Sequence, residues 1–387
     1  MRVHLYHQYF RHPDEGGALR SYFIGRALVE AGHEVLIISG HNRQKGLQDI
    51  DGIPVRYLPV TYANDYSFTK RIWAFLRFAV LAILTARKYP QPDLNYIITT
   101  PLTTGLIGLH WKYWRGIPYA FEVGDLWPEV PIQMGMIRNK FLQRLLYGLE
   151  KRMYRHAEKL IGLSPAIKDY IEYHCDFQVS AVSIPNMADT DFFAPQPAPQ
   201  DFDLEHPFVI SYIGTMGRAN HLNYLLAFAK QCLDEALPVA FHIMGDGARK
   251  GLMAQQAQSM ANLELHEFGN RDVVGTLIDQ SHAVYVSFLD VPILNTGSPN
   301  KFFDGLAAGK LILLNFGGWM KKLIDEHECG VYCPPEDPET SVNHLWPFLS
   351  SPLLLEEYQT NARKLAEEAF SRKDLTKQLI GYISSSR

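Results

Sequence analysis

Short apolar runs alternate with longer stretches of helical period from one end of the chain to the other. Apolar runs of a few residues bounded by turn residues suit strands buried on both faces. The intervening 3.6-residue patterns suit helices that cover a parallel sheet. Val3–Tyr9 predicts a first strand, then a loop holding Gly16 and Gly17, then a helix from about Ala18 to Ala31. Gly32 stands where a helix C-cap glycine belongs, and Val35–Ser39 predicts the second strand. Further strands are expected at Val55–Leu58, Asn95–Thr99, Tyr119–Glu122 and Leu160–Leu163.

The stretch from Ala194 to Asp201 carries prolines at 195, 197 and 199 and reads as an extended linker, placed at 194–206. After it the rhythm restarts, with strand Phe208–Ile213, a glycine turn, helix Leu222–Leu233 and strand Ala240–Met244. Two halves that each begin strand, glycine loop, helix predict an α/β protein of two Rossmann-like domains, 1–193 and 207–370, facing across a cleft.

A length of 387 residues suits two such domains, and 47% apolar against 20% charged residues describes a folded chain. The formal net charge of −4 argues against nucleic acid as a partner. Cys175, Cys232, Cys329 and Cys333 are scattered without a histidine cluster, so buried free thiols are expected rather than a zinc site. Met1–Tyr6 runs straight into a strand, with no apolar leader, and the greasiest stretch, Ile72–Ala86, is interrupted by Arg77 and short of the ~20 residues of a span. The chain is therefore expected to be cytoplasmic.

A strand that turns through glycines into a helix gathers unpaired N–H groups and the positive end of the helix dipole, which suits an anion. Gly16-Gly17, Gly214–Arg218 and Gly245–Gly247 are three such loops, although none is a complete dinucleotide or P-loop fingerprint and each by itself also suits a plain turn. Asn295–Gly309 is more informative, because a turn-rich loop feeds a helix whose first turns carry Lys301 and Asp304. The loop N–H groups and Lys301 suit a diphosphate, and Asp304 on the same helical face suits ribose hydroxyls. A surface ion pair between Lys301 and Asp304 suits the same spacing.

These segments together resemble glycosyltransferase family 4, the retaining enzymes of GT-B fold, and its bacterial capsule and O-antigen branch. The resemblance is carried by Gln8–Phe10 through Gly16-Gly17 to Gly32–Val35; by Phe121–Glu129, similar to that branch's D-L-W-P-E signature; by Ser164-Pro165 and Ile184–Asn186 with Asp189; by Ser298–Gly309, similar to its P-x-K-x-x-E-x-x-A-x-G donor motif; and by Phe370–Arg372 before a last helix. It implies GT-B architecture, with residues 371–387 forming a helix that packs back on the first domain. It implies a donor held by the second domain: Ser298, Pro299, Asn300 and Lys301 on the phosphates, Asp304 on the ribose, Arg218 as a second cation, and Gly16, Gly17, Gly214 and Gly245 in the loops around them. Asp125 is implied as the catalytic carboxylate, and neither metal nor cofactor is expected, because cations and N–H groups can stabilise the leaving diphosphate. Thr296, Asp304 and Gly124 stand where the family often has two glutamates and a histidine, which bears on the donor sugar.

The expected activity is transfer of a sugar, first of all from a UDP-sugar, to a lipid-linked or oligosaccharide acceptor in surface-polysaccharide synthesis. A nucleotide-sugar epimerase of the same fold and a non-catalytic scaffold are the alternatives. Along Lys140–Lys159, Lys140, Arg144, Lys151 and Arg155 form one stripe, while Leu142, Leu145, Leu146, Leu149 and Met153 form the opposite one, expected to pack on the sheet. Phe68–Lys88 mixes five cations with Trp73, Phe75, Phe78 and Leu81, and Trp111, Tyr113 and Trp114 alternate with Lys112 and Arg115. Both segments suit peripheral attachment to an anionic inner-membrane surface. His7, His12 and His110 show no partner in the sequence and are left out of the catalytic set.

Overall fold

A computed structural model describes residues 1–17, 19–63, 66–195 and 202–385. Ala18, where the first helix was expected to begin, and 196–201, the middle of the expected linker, lie outside them.

The first sheet has eight strands: β1 (Arg2–Tyr6), β2 (Glu34–Gly40), β3 (Gly46–Ile50), β4 (Ile53–Leu58), β5 (Leu94–Ile98), β6 (Tyr119–Val123), β7 (Lys159–Gly162) and β8 (Val182–Ser183). Their spatial order is β3-β4-β2-β1-β5-β6-β7-β8, parallel throughout except that β3 runs antiparallel to β4. The polar, alternately exposed β3 at the edge was not anticipated; it has one buried neighbour only and so lacks the continuous apolar run of the central strands. Helices α1 (Arg20–Glu30), α2 (Phe68–Ala86), α3 (Gly105–Arg115), α4 (Glu129–Gln133), α5 (Lys140–His156) and α6 (Pro165–His174) connect the strands.

The second sheet is wholly parallel, with β9 (Phe208–Ile213), β10 (Val239–Met244), β11 (Leu263–His266), β12 (Ala283–Val286), β13 (Leu311–Leu314) and β14 (Gly330–Tyr332) in the order β11-β10-β9-β12-β13-β14. Its helices are α7 (Asn223–Asp234), α8 (Lys250–Ala257), α9 (Arg271–Asp279), α10 (Asn300–Ala307), α11 (Trp319–Glu326), α12 (Pro338–Ser350) and α13 (Pro352–Ala369). The last helix, α14 (Arg372–Ser384), leaves this domain and packs on α1. Its entry is fixed where Ala188 N donates to Phe370 O at 2.8 Å and Arg372 N donates to Ala188 O at 2.9 Å. The architecture is GT-B: two Rossmann-like domains facing each other, with a C-terminal crossover.

Three expectations are corrected. The apolar side of α5 is covered only in its second half: Met153 is buried against Gly105 of α3, but Phe141, Leu142 and Leu145 in the first half face solvent. Trp111 is buried on the inner side of α3, so of its aromatic group only Tyr113 and Trp114 are exposed. Cys232, Cys329 and Cys333 are buried free thiols, but Cys175, at the C-cap of α6, is part-exposed.

Candidate active site

The carboxyl ends of the parallel strands from both sheets converge on a cleft of about 850 Å³. The first domain contributes His7, Gly17, Arg20, Gly124 and Asp125; the second contributes Thr215, Asp246 and the run Gly297–Asn300. A pocket of about 80 Å³ shares Gly17, Arg20, Asn186 and Asn300 with the cleft and adds Gly16, Asp189, Arg271 and Asp304.

The loop before α10 is held from both sides. Trp319 Nε1 donates to Gly297 O at 2.9 Å, while from the other domain Ser164 Oγ donates to Thr296 O at 2.6 Å and Asn186 N donates to Ser298 Oγ at 3.1 Å. The Asn186 amide also donates to the Ser298 carbonyl. Helix α10 starts behind Pro299 with no side-chain cap, so its first N–H groups stay available at the cleft. Its other side is anchored by buried Phe302, Phe303, Leu306 and Ala307.

Lys301 stands in the first turn of α10. Its Nζ lies 3.8 Å from the centre of the Tyr212 ring, is buried, and has no hydrogen-bond partner among the described residues. Gly214 makes room for it: with φ at 144°, a Cβ there would stand 3.1 Å from Lys301 Nζ. Burial without a counter-ion pulls the Lys301 pKa down to about 7. Asp304, one turn on, is pushed up to about 7, first by burial and then by nearby Asp189, against the pull of Arg271. The two side chains do not pair with each other, so the surface ion-pair alternative does not hold. Asp189 instead binds Arg271, and Arg372 at 3.1 Å, across the domain boundary.

Asp125 follows β6 at the floor of the cleft, exposed to it, and accepts a hydrogen bond from Thr100 Oγ1 at 2.9 Å. The protein packed around it raises its pKa above the ordinary carboxylate value, partly offset by that bond. Gly124 N donates to Thr99 Oγ1 at 3.0 Å, and a Cβ at Gly124 would lie 3.1 Å from Thr99 O, so this turn crowds any larger residue.

Of the remaining expected residues, Gly17 lines the cleft, and Gly16, at φ 68°, lets its loop approach the second domain, where a Cβ would stand 2.9 Å from Gly269 O. Gly214, Arg218, Gly245 and Lys301 are not among the residues that line the cleft; Lys301 stands just behind its rim, next to Asn300, which does. Gly245 supports the neighbouring loop, since a Cβ on it would overlap Gly214 O at 1.8 Å; Arg218 is exposed on the turn after β9.

Sequence reasoning missed Arg20 and Glu122. Arg20, the first residue of α1, donates to both Glu122 oxygens at 2.9 Å, to Pro185 O at 2.6 Å and to Ile184 O at 3.0 Å; Tyr96 OH donates to Glu122 at 2.5 Å. Their only sequence signals were a cation just after the Gly16-Gly17 loop and a carboxylate inside an apolar strand. His7 also lines the cleft, bonded to Ser21 at 2.8 Å, and burial lowers its pKa to about 3, which keeps it neutral.

Two family profiles match the chain: the glycosyl transferase 4-like domain over residues 15–184 and glycosyl transferases group 1 over residues 207–350. The probable glycosyltransferase WbjE of Pseudomonas aeruginosa is 25% identical over 242 residues, 59% of this chain; the match spans 58% of WbjE. In fold, sucrose-phosphate synthase from Thermosynechococcus elongatus is similar at a TM-score of 0.76 and 15% identity, over 98% of this chain and 97% of that one. HepE from Anabaena, in complex with UDP and glucose, is similar at 0.72 and 16% identity over 99% of both.

Proposed function

This chain belongs to the glycosyltransferases with a 4-like first domain and a group 1 second domain, and from that premise we propose that it is a retaining, metal-independent hexosyltransferase using a UDP-sugar. The observation that carries this reading is Lys301, an ammonium buried in the first turn of the helix that starts at Asn300 on the cleft and lacking an anionic partner among the described residues. A diphosphate supplies the missing counter-charge. The Ser298–Asn300 backbone shares it, and Asp304 takes ribose hydroxyls from one helical turn away. HepE, bound to UDP and glucose, supports a uridine donor.

As the bond to the leaving diphosphate lengthens, negative charge grows on its oxygens. Lys301 and the α10 N–H groups stabilise that charge, as a metal ion would elsewhere. Asp125, across the cleft with a raised pKa, faces the acceptor hydroxyl and takes its proton or stabilises positive charge at the anomeric carbon. The test is turnover of UDP-sugars in EDTA, with product anomers read by NMR. Donor consumed without an acceptor would favour the epimerase, and absence of nucleotide binding would favour the scaffold.

The acceptor in this reading is a lipid-linked glycan at an anionic membrane. The outer side of α2 exposes Trp73, Leu76, Val80 and Leu84 at helical spacing, and Trp114 on α3 and Phe141 and Leu145 on α5 are exposed as well. Lys70, Arg77, Lys88, Lys140 and Arg144 stand on the same helices or at their ends and are exposed. Among the described residues no helix is long and apolar enough to cross a membrane, so this surface suits lying in the interface, each cation adding ~1 kcal/mol. Co-flotation with anionic vesicles at low salt, lost with neutral ones, is the expected result; no flotation on either removes the membrane from the reading.

A further inference from the structure

At the outer edge of the second sheet, His242 on β10 stands opposite Glu264 on β11, and His266 follows two residues later on the same strand. Residues opposite in register and residues two apart along a strand project from one face, so the three side chains meet there. One ligand atom from each lies within 4.8 Å of the others. Glu264 approaches both rings, at 3.7 Å from His242 Nε2 and 3.7 Å from His266 Nε2. Those separations are too long for hydrogen bonds. They are close to the roughly 3.4 Å between donors on an ion with 2.0–2.1 Å arms.

Among the described residues, His266 Nε2, which faces Glu264, is buried without a hydrogen-bond partner, as is His242 Nδ1 on the other side of its ring from the carboxylate. Glu264, by contrast, is exposed, so an ion can enter from solvent and keep water in a remaining position.

We propose that His242, Glu264 and His266 form a site for a divalent transition metal of the zinc class, at the edge of the second domain and separate from the cleft. Two imidazoles and one carboxylate favour Zn²⁺, Co²⁺ or Ni²⁺ over Mg²⁺ or Ca²⁺, which prefer all-oxygen shells. None of the three residues lines the cleft, so the ion takes no part in sugar transfer. It fastens β11 to β10. The chain runs from β11 through Gly269, beside Gly16, to Arg271, which binds Asp189 of the first domain, so the fastened strand anchors an arm of the domain interface.

The experiment is calorimetric titration of tag-free, chelator-stripped full-length protein with Zn²⁺ and, separately, Mg²⁺, alongside melting curves and Co²⁺ absorption. The expected result is one tightly bound Zn²⁺ per chain, a higher melting midpoint with Zn²⁺ only, and Co²⁺ bands typical of a low-coordinate nitrogen and oxygen site. Glu264→Gln and His266→Asn should each weaken Zn²⁺ binding at least tenfold while the metal-free melting midpoint stays that of the wild type. Absence of stoichiometric binding overturns the proposal. So does Zn²⁺ binding of wild-type strength in both variants, which would place the ion elsewhere, for instance on a cysteine. If His266→Asn fails to fold, the exposed Glu264→Gln decides by itself.

Discussion

Arg20 and Lys301 are cations in the first turns of two helices that open on one cleft from opposite domains, and their surroundings are opposite. Arg20 spends its guanidinium entirely inside the first domain, on Glu122 and on the carbonyls of Ile184 and Pro185. The Lys301 ammonium is buried as well, yet among the described residues it meets the Tyr212 ring face and no hydrogen-bond acceptor. A buried charge without a partner is costly to a fold. A satisfied one serves structure, so the unsatisfied one is the better pointer to a ligand. The two nearby carboxylates repeat the contrast: Glu122 is fully tied to Arg20 and Tyr96, whereas Asp125 faces the cleft with a single bond from Thr100.

The contrast can be broken most decisively at Asp125. Asp125→Asn should abolish transfer while leaving UDP affinity, measured by calorimetry, nearly unchanged; a large loss of affinity would move Asp125 to the donor site or to folding. Arg20→Ala should destabilise the protein by about 3–5 kcal/mol in denaturant melts, because Glu122 is left buried and unpaired. A variant as stable as the wild type would dissolve the distinction between the two cations.

Lys301→Met, which keeps the aliphatic length, should cut turnover by roughly 10²–10³ without lowering stability. The sign follows from the native pKa of about 7 against 10.5 in the unfolded chain. The unfolded state holds the extra proton between those values, so Lys301 destabilises the fold fully below about pH 7 and ceases to above about pH 10.5. The variant's melting midpoint should therefore gain more near neutrality than in alkali; equal gains at both would be evidence against an unpaired ammonium.

The smallest expected effect sharpens the picture further. Binding of UDP-glucose, whose esterified diphosphate does not titrate near neutrality, should take up a proton above pH 7 and weaken by up to about tenfold per pH unit there. Asp304, also poised at about 7, gains its charge over the same range and acts in the opposite sense through ribose. Running the titration in Asp304→Asn isolates the lysine; a flat profile in that variant rules out protonation of Lys301 on binding.

Much of this was legible before any coordinates. The strand–glycine–helix units, the restart after the proline-rich stretch and the loop into α10 are written in residues a few positions apart, where periodicity, glycine and helix-start chemistry act. Lys301 could be singled out for that reason, whereas Asp125 came only with the resemblance of Phe121–Glu129 to the D-L-W-P-E signature. Some local readings still went astray: the apolar stripe of α5 is exposed at Leu142 and Leu145 and buried at Met153, and no short-range signal shows that part of it meets solvent.

By itself, then, the sequence determined two α/β domains and the strand–glycine–helix turns at the ends of their strands, because those follow from local backbone and burial preferences. Only the tertiary structure decided which charges are satisfied. Arg20 finds Glu122 across 102 positions, Gly245 turns out to support Gly214, and His242 meets Glu264 and His266 on neighbouring strands. Partnership and desolvation are properties of three-dimensional neighbours, and they separate a satisfied cation from an unsatisfied one.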